Sequence, residues 1–219
     1  MIIHNKCISQ SLLVKPNFFL MLYYTMKVLE LFSGTGSVGK CCKELGWDVV
    51  SVDMILPADH QVDIMVFDYK QYDKDEFDII WGSPPCVEYS CMNYCRPDKV
   101  PDIEGANKLV LKTLEIINYF DCHWWFIENP QTGLLKNQSF MKNLPFYDVD
   151  YCMYNHLIRK RTRIWTNKKD WTNLLCDKRC GVIKDGKHLP FSKMNIKGVN
   201  RLHLRYKIPE DLIYSLLMD

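Results

Sequence analysis

Cys86 follows Gly82-Ser83-Pro84-Pro85, directly after the apolar run Phe77–Gly82. A thiol held behind two prolines at the carboxyl end of a buried strand projects at a fixed angle. It becomes a nucleophile where nearby positive charge lowers its pKa. The plain alternative is a structural cysteine, and Cys91 and Cys95 share the same loop. Glu128-Asn129-Pro130 closes another apolar run, His123–Ile127, so its carboxylate either caps a turn or handles a proton or a ring nitrogen. Arg159, Arg161 and Arg163 alternate along a late strand and would share one face. Such a row suits an edge strand guarded by charge or an anionic substrate equally well.

A second constellation precedes these. Lys27–Ser33 runs into Gly34-Thr35-Gly36, and a helical stretch follows through Val38, Cys41, Cys42 and Leu45. That order puts backbone N–H groups and a helix N-terminus over a ligand, although the third glycine, Gly39, is displaced from the dinucleotide spacing and a ligand-free βα turn would look alike. Asp53 ends the β-branched run Asp48–Asp53 about 20 residues on, where a carboxylate accepts from ribose hydroxyls or organises a turn. Asp63, after a weaker run at His60–Val66, could accept from an exocyclic amine.

The elements that carry these residues alternate. Strands are expected at Lys27–Ser33, Asp48–Asp53, His60–Val66, Phe77–Gly82 and His123–Ile127, with helices after Gly36, over Ile103–Phe120 and over Glu210–Met218. The pattern implies an α/β fold with a mostly parallel, doubly wound sheet. Tyr147–Tyr154 and Arg161–Thr166 would add a late antiparallel hairpin. A chain of 219 residues fits one such domain.

The order LELFSGTGS, SPPCVEYS, FIENP and RKRTR resembles the motif series of the DNA cytosine-5 methyltransferases, a likeness covering roughly residues 27–165. It implies a Rossmann-like, S-adenosylmethionine-dependent methyltransferase fold. Cofactor contacts would fall on Phe32, Ser33, Gly34, Thr35, Gly36, Asp53, Asp63, Ile64 and Pro84, and catalysis on Cys86, Glu128, Arg161 and Arg163. The mechanism implied is a covalent Cys86 adduct on a flipped-out cytosine, with the arginines orienting the base and keeping Cys86 ionised. Val87, Pro130 and Arg159 stand where the family has Gln, Val and Gln, and Tyr89 stands where it has Phe. Only 56 residues follow Arg163, which leaves room for a compact catalytic domain with a reduced recognition region, as in short viral and phage-type relatives. RYKIPEDLIYSLL faintly resembles the family's closing motifs. A tRNA cytosine-5 methyltransferase and a catalytically silent nucleic-acid-binding relative are the competing readings. Ser83-Pro84-Pro85 also resembles an amino-methyltransferase motif, but Cys86 takes the place of its aromatic residue.

Charge divides the chain. Residues 157–208 hold 15 Lys+Arg against 3 Asp+Glu, whereas residues 1–156 hold 13 against 20, so a net +2 conceals a strongly basic segment. It is either a solvated lysine-rich surface or, beside the motifs above, a face for duplex DNA. Ten scattered cysteines with no obvious secretory leader suggest an intracellular, reducing compartment. The longest apolar run, Pro16–Met26, is too short for a membrane span. Cys176 and Cys180 with His188 have zinc-ligand spacing but no evident fourth ligand, with Cys152 and His203 as candidates that folding would have to bring close. Ordinary core cysteines are the alternative. The organisation expected is therefore an appendage at 1–25 from an upstream start, a catalytic domain at 26–166 and a basic recognition and C-terminal region at 167–219 packed on it.

Overall fold

A computed structural model describes residues 25–96, 98–188 and 201–218. The expected appendage at 1–25 therefore falls almost wholly outside the described residues, as do positions 189–200 of the basic segment.

Strand β1 (Lys27–Leu31) is buried on both faces, with Val28, Leu29 and Leu31 fully enclosed, as the centre of a parallel sheet requires. It pairs in parallel with β2 (Asp48–Asp53) on one side and β4 (Ile79–Gly82) on the other. β3 is only His60–Gln61, shorter than the run to Val66 suggested, because Asp63 turns the chain by accepting the Met65 N–H at 2.9 Å. β4 pairs with β5 (Trp124–Pro130), and the antiparallel pair β6 (Phe146–Asp150) and β7 (Arg161–Thr166) completes the order β3-β2-β1-β4-β5-β7-β6. Seven strands thus form a mostly parallel sheet ending in the expected hairpin. The last part of the predicted Tyr147–Tyr154 strand is instead a 3-10 turn at Tyr151–Met153.

Helix α1 (Ser37–Glu44) follows β1, and α2 (Ile103–Tyr119) begins at Asp102, whose carboxylate accepts the Gly105 N–H at 2.8 Å. The two-residue strands β8 (Ile183–Lys184) and β9 (Lys187–His188) make a separate small hairpin, followed by α3 (Arg201–Tyr206) and α4 (Glu210–Met218). Leu212, Ile213, Leu216 and Leu217 of α4 share one core with Cys41 and Cys42 of α1 and with Val28 and Ile79 of the sheet. That packing lays α4 against α1 on one face of the sheet. Among the described residues, no helix is long and apolar enough to cross a membrane.

The strand order reverses between β1 and β4, so the carboxyl ends of β1, β2 and β4 open onto one crevice.

Candidate active site

The crevice holds a cavity of about 480 Å³, lined by Phe32, Ser33, Gly34 and Thr35 after β1, Asp53 at the end of β2, Asp63 and Ile64, and Pro84 and Cys86 after β4. Glu128 also lines it. Gly36 lies outside the lining, as the left-handed N-cap residue of α1 with φ +66°. Gly34 also has positive φ, and so does Phe32 at +56°. For a bulky side chain that conformation costs on the order of 1–3 kcal/mol, offset here by surroundings that fix the turn.

Asp53 organises the turn as well as lining the cavity. Its Oδ2 accepts the Gly34 N–H at 2.9 Å, and its Oδ1 accepts the Ile55 and Leu56 N–H groups at 2.8 and 2.7 Å. Of about four lone-pair directions on a carboxylate, three are therefore engaged, leaving one for a ligand hydroxyl rather than the pair expected from the sequence.

Glu30, which the motif reading passed over, lies beneath the same loop. It is 3% exposed and accepts the Val38 and Gly39 N–H groups at 3.2 and 3.0 Å, satisfying the start of α1 where Gly36 offers no side chain. Burial raises its pKa to about 7, against the opposing pull of those two hydrogen bonds. The displaced Gly39 has its reason here: a Cβ at that position would meet Glu30 Oε2 at 2.6 Å.

A second cavity of about 810 Å³ adjoins the first and is lined by Arg159, Lys160, Arg161, Lys178, Lys187 and Arg205 together with Cys86. Cys86, Lys160 and Tyr206 border both cavities. The half-buried thiol thus stands at the junction of a pocket containing carboxylates and a basic one. Burial pushes its pKa up and the Glu128 carboxylate adds to that, while Lys160 and Arg205 pull it down. The Pro-Pro-Cys turn is tied to β5 by Asn129 Nδ2, which donates to the Pro84 carbonyl at 2.9 Å.

Glu128 is 6% exposed, and its Oε1 accepts from Tyr151 Oη at 2.8 Å and Lys160 Nζ at 3.1 Å. Neither partner was singled out in the sequence. β7 explains Lys160. Its register sets Ile164 opposite Glu128 and Arg163 opposite Asn129, so Glu128 shares a sheet face with Thr162 and Ile164, and Lys160 continues that alternation. The three arginines do share a face, as their spacing implied, but it is the other one. Arg163 makes a bidentate pair with Asp148 at 2.7 and 2.8 Å and lies 3.5 Å from the Phe146 ring centroid, lining neither cavity. Arg159 pairs with Asp150, and exposed Arg161 reaches the basic cavity. Lys160 and Arg205 are thus the cations that pull the Cys86 pKa down, while Arg163 is held by Asp148 outside both cavities. Lys99, in the loop after Cys86, pairs with Glu88 at 2.9 Å.

No family model matches the chain. A protein of frog virus 3 (isolate Goorha), named "Probable DNA (cytosine-5)-methyltransferase", is 33% identical over 215 residues, spanning 88% of this chain and 99% of its own length. The chain belongs to the DNA cytosine-5 methyltransferase family. Among solved structures, the Entamoeba histolytica methyltransferase EhMeth is 17% identical with a TM-score of 0.50, over 81% of this chain and 62% of that one. The S. pombe Dnmt2 methyltransferase is 14% identical with a TM-score of 0.47, over 69% of this chain and 52% of that one. The chain spans between half and two thirds of the length of these two structures. The EhMeth likeness agrees with a Rossmann-like methyltransferase sheet.

In this family member the C-terminal segment also reaches the site. Ile208 lines the first cavity, and its N–H donates to Ser37 Oγ at 3.2 Å. Beyond β7, Cys176, Cys180 and His188 come together with Cys152 of the Tyr151–Met153 turn.

Proposed function

We propose that this chain transfers the methyl group of S-adenosylmethionine to C5 of cytosine in DNA, with Cys86 as covalent nucleophile and the target base turned out of the duplex. The observation that carries this reading is the position of Cys86 at the meeting of the two cavities.

The first cavity suits the methyl donor. Its volume falls within the usual range for cofactor pockets, roughly 300–1,000 Å³. The remaining acceptor capacity of Asp53 suits a ribose hydroxyl, and Asp63 and Ile64 suit an adenine edge. Bound there, S-adenosylmethionine would supply an electrophilic methyl group at the junction.

The second cavity suits DNA. Its six cations favour phosphate contacts, which give affinity without reading sequence. A cytosine inside the stack hides C6 from any thiol, so the base must leave the duplex. Cys86 loses its proton with help from Lys160 and Arg205, and its sulfur forms a bond to C6. The C5–C6 π pair becomes an enamine. Glu128, held by Tyr151 and Lys160, engages N3 and the exocyclic amine to stabilise it. C5 would take the methyl carbon as the donor's S–CH3 bond breaks and the neutral thioether leaves; C5 then gives its proton to a solvent base, the electron pair restores the C5–C6 double bond, and Cys86 leaves as thiolate.

The test incubates the protein with labelled S-adenosylmethionine and duplex DNA, with tRNA as competitor, and identifies the modified base. 5-Methylcytosine in DNA, abolished by Cys86→Ser, supports the proposal. Unlabelled DNA, label confined to tRNA, or undiminished labelling by the variant contradicts it.

A further inference from the structure

Residues 172–188 include none that is buried, and their regular structure is a hairpin of two-residue strands. Such a hairpin is marginal in water, and a segment without a core needs a staple.

A staple is present in the side chains. Nε2 of His188 lies 3.6 Å from Cys152 Sγ, 3.3 Å from Cys176 Sγ and 3.1 Å from Cys180 Sγ, and Cys176 and Cys180 Sγ are 3.4 Å apart. All four donor atoms lie within 4.8 Å of one another. With Zn–S of about 2.3 Å and Zn–N of about 2.0–2.1 Å, a tetrahedral site has S···S edges near ~3.8 Å and S···N edges near ~3.5 Å. The four distances of 3.1–3.6 Å lie close to those edges. Three thiolates and an imidazole form a closed donor set of the structural zinc type, with no position left for substrate. The Lys178 N–H, which donates to Cys176 Sγ at 3.4 Å, supports a ligating sulfur from outside the donor set.

We propose that Cys152, Cys176, Cys180 and His188 bind one structural zinc ion that holds the basic wall of the second cavity in place. The site joins the turn after β6 to the 176–180 loop and the β8–β9 hairpin, more than twenty residues further along the chain. Asp150 reinforces the join, accepting the Cys176 N–H at 2.9 Å while both its oxygens take Arg159 at 3.1 Å. Lys178, Lys187 and His188 of the clamped segment line the same cavity as Arg159 and Arg161. Tyr151, beside the ligand Cys152, donates to Glu128. The metal site itself stands apart from the methylation reading; its effect on duplex binding rests on that reading.

The test uses the full chain, purified under reducing conditions with zinc supplied, and measures metal by elemental analysis. One zinc per chain is expected, released by thiol-modifying reagents, lost in Cys176→Ser and Cys180→Ser, and kept in Cys91→Ser. Chelator-stripped wild-type protein titrated with cobalt(II) should develop the thiolate charge-transfer and d–d bands of a tetrahedral site, a measurement that needs no variant to fold. A metal-free chain, full zinc in Cys176→Ser, or an octahedral cobalt spectrum overturns the proposal. If zinc is bound and duplex affinity is unchanged by its removal, the site stands and its role in the cavity wall is overturned.

Discussion

Tyr151→Phe removes one oxygen from the fully buried side chain whose hydroxyl donates to Glu128 Oε1 at 2.8 Å. A hydrogen bond to a charged acceptor is worth about 1.5–3 kcal/mol, and at about 1.4 kcal/mol per tenfold its full expression in the transition state is a roughly 10- to 150-fold fall in kcat. Lys160 still holds the same oxygen, so the lower half of that range is expected. Tyr151 does not line the first cavity, and the affinity for S-adenosylmethionine, read by calorimetry, should stay within about twofold. Steady-state methyl transfer to duplex DNA separates kcat from KM, and thermal unfolding reports any loss of the fold. A variant with unchanged kcat, or one whose loss of rate follows a parallel loss of donor binding, refutes the positioning role.

Lys160→Met removes a charge that opposes the upward shift of the Cys86 pKa, so the thiol should ionise at higher pH than in the wild type. The rising limb of the kcat/KM–pH profile should move to the alkaline side, with the deficit largest at low pH; an unmoved limb would remove Lys160 from the site. Gly39→Ala forces a Cβ against the buried Glu30 carboxylate and should cost roughly 1–3 kcal/mol in unfolding free energy, with weaker donor binding. Wild-type stability in a denaturant titration would contradict that. Arg161→Ala should lower duplex affinity and flatten the salt dependence by about one phosphate contact with little change in Tm. Arg163→Ala should instead lower stability by about 1–3 kcal/mol through loss of its pair with Asp148, leaving the salt slope as it was.

Local motifs were the legible part of this sequence. A strand running into Gly34-Thr35-Gly36, a carboxylate ending the next strand and Pro-Pro-Cys after a third each depend on a few neighbouring residues, and the sheet brings them to one crevice. The face of β7 was not legible. Period-2 spacing puts Arg159, Arg161 and Arg163 together, but which face looks at Glu128 depends on register with β5, set by pairing of residues over 30 positions apart. Hence Lys160, between two arginines, reaches Glu128 from the face they leave. Tyr151 was hidden because the expected strand breaks into a 3-10 turn there, and Glu30 because its alternation with buried neighbours is interrupted by their burial on both faces. For the metal cluster, spacing offered Cys176, Cys180 and His188; only the antiparallel return of β6 beside β7 supplies Cys152.

Methyl transfer as proposed passes through a covalent bond between Cys86 and the C6 carbon of cytosine, which a duplex carrying 5-fluorocytosine would trap. Fluorine at C5 cannot leave as the proton does, so the adduct cannot resolve after methylation. The expected product is a protein–DNA band that survives denaturing electrophoresis, requires S-adenosylmethionine, maps to Cys86 by peptide mass and is absent in Cys86→Ser. No such band from protein that methylates unmodified duplex, or a band that persists in Cys86→Ser, would contradict it.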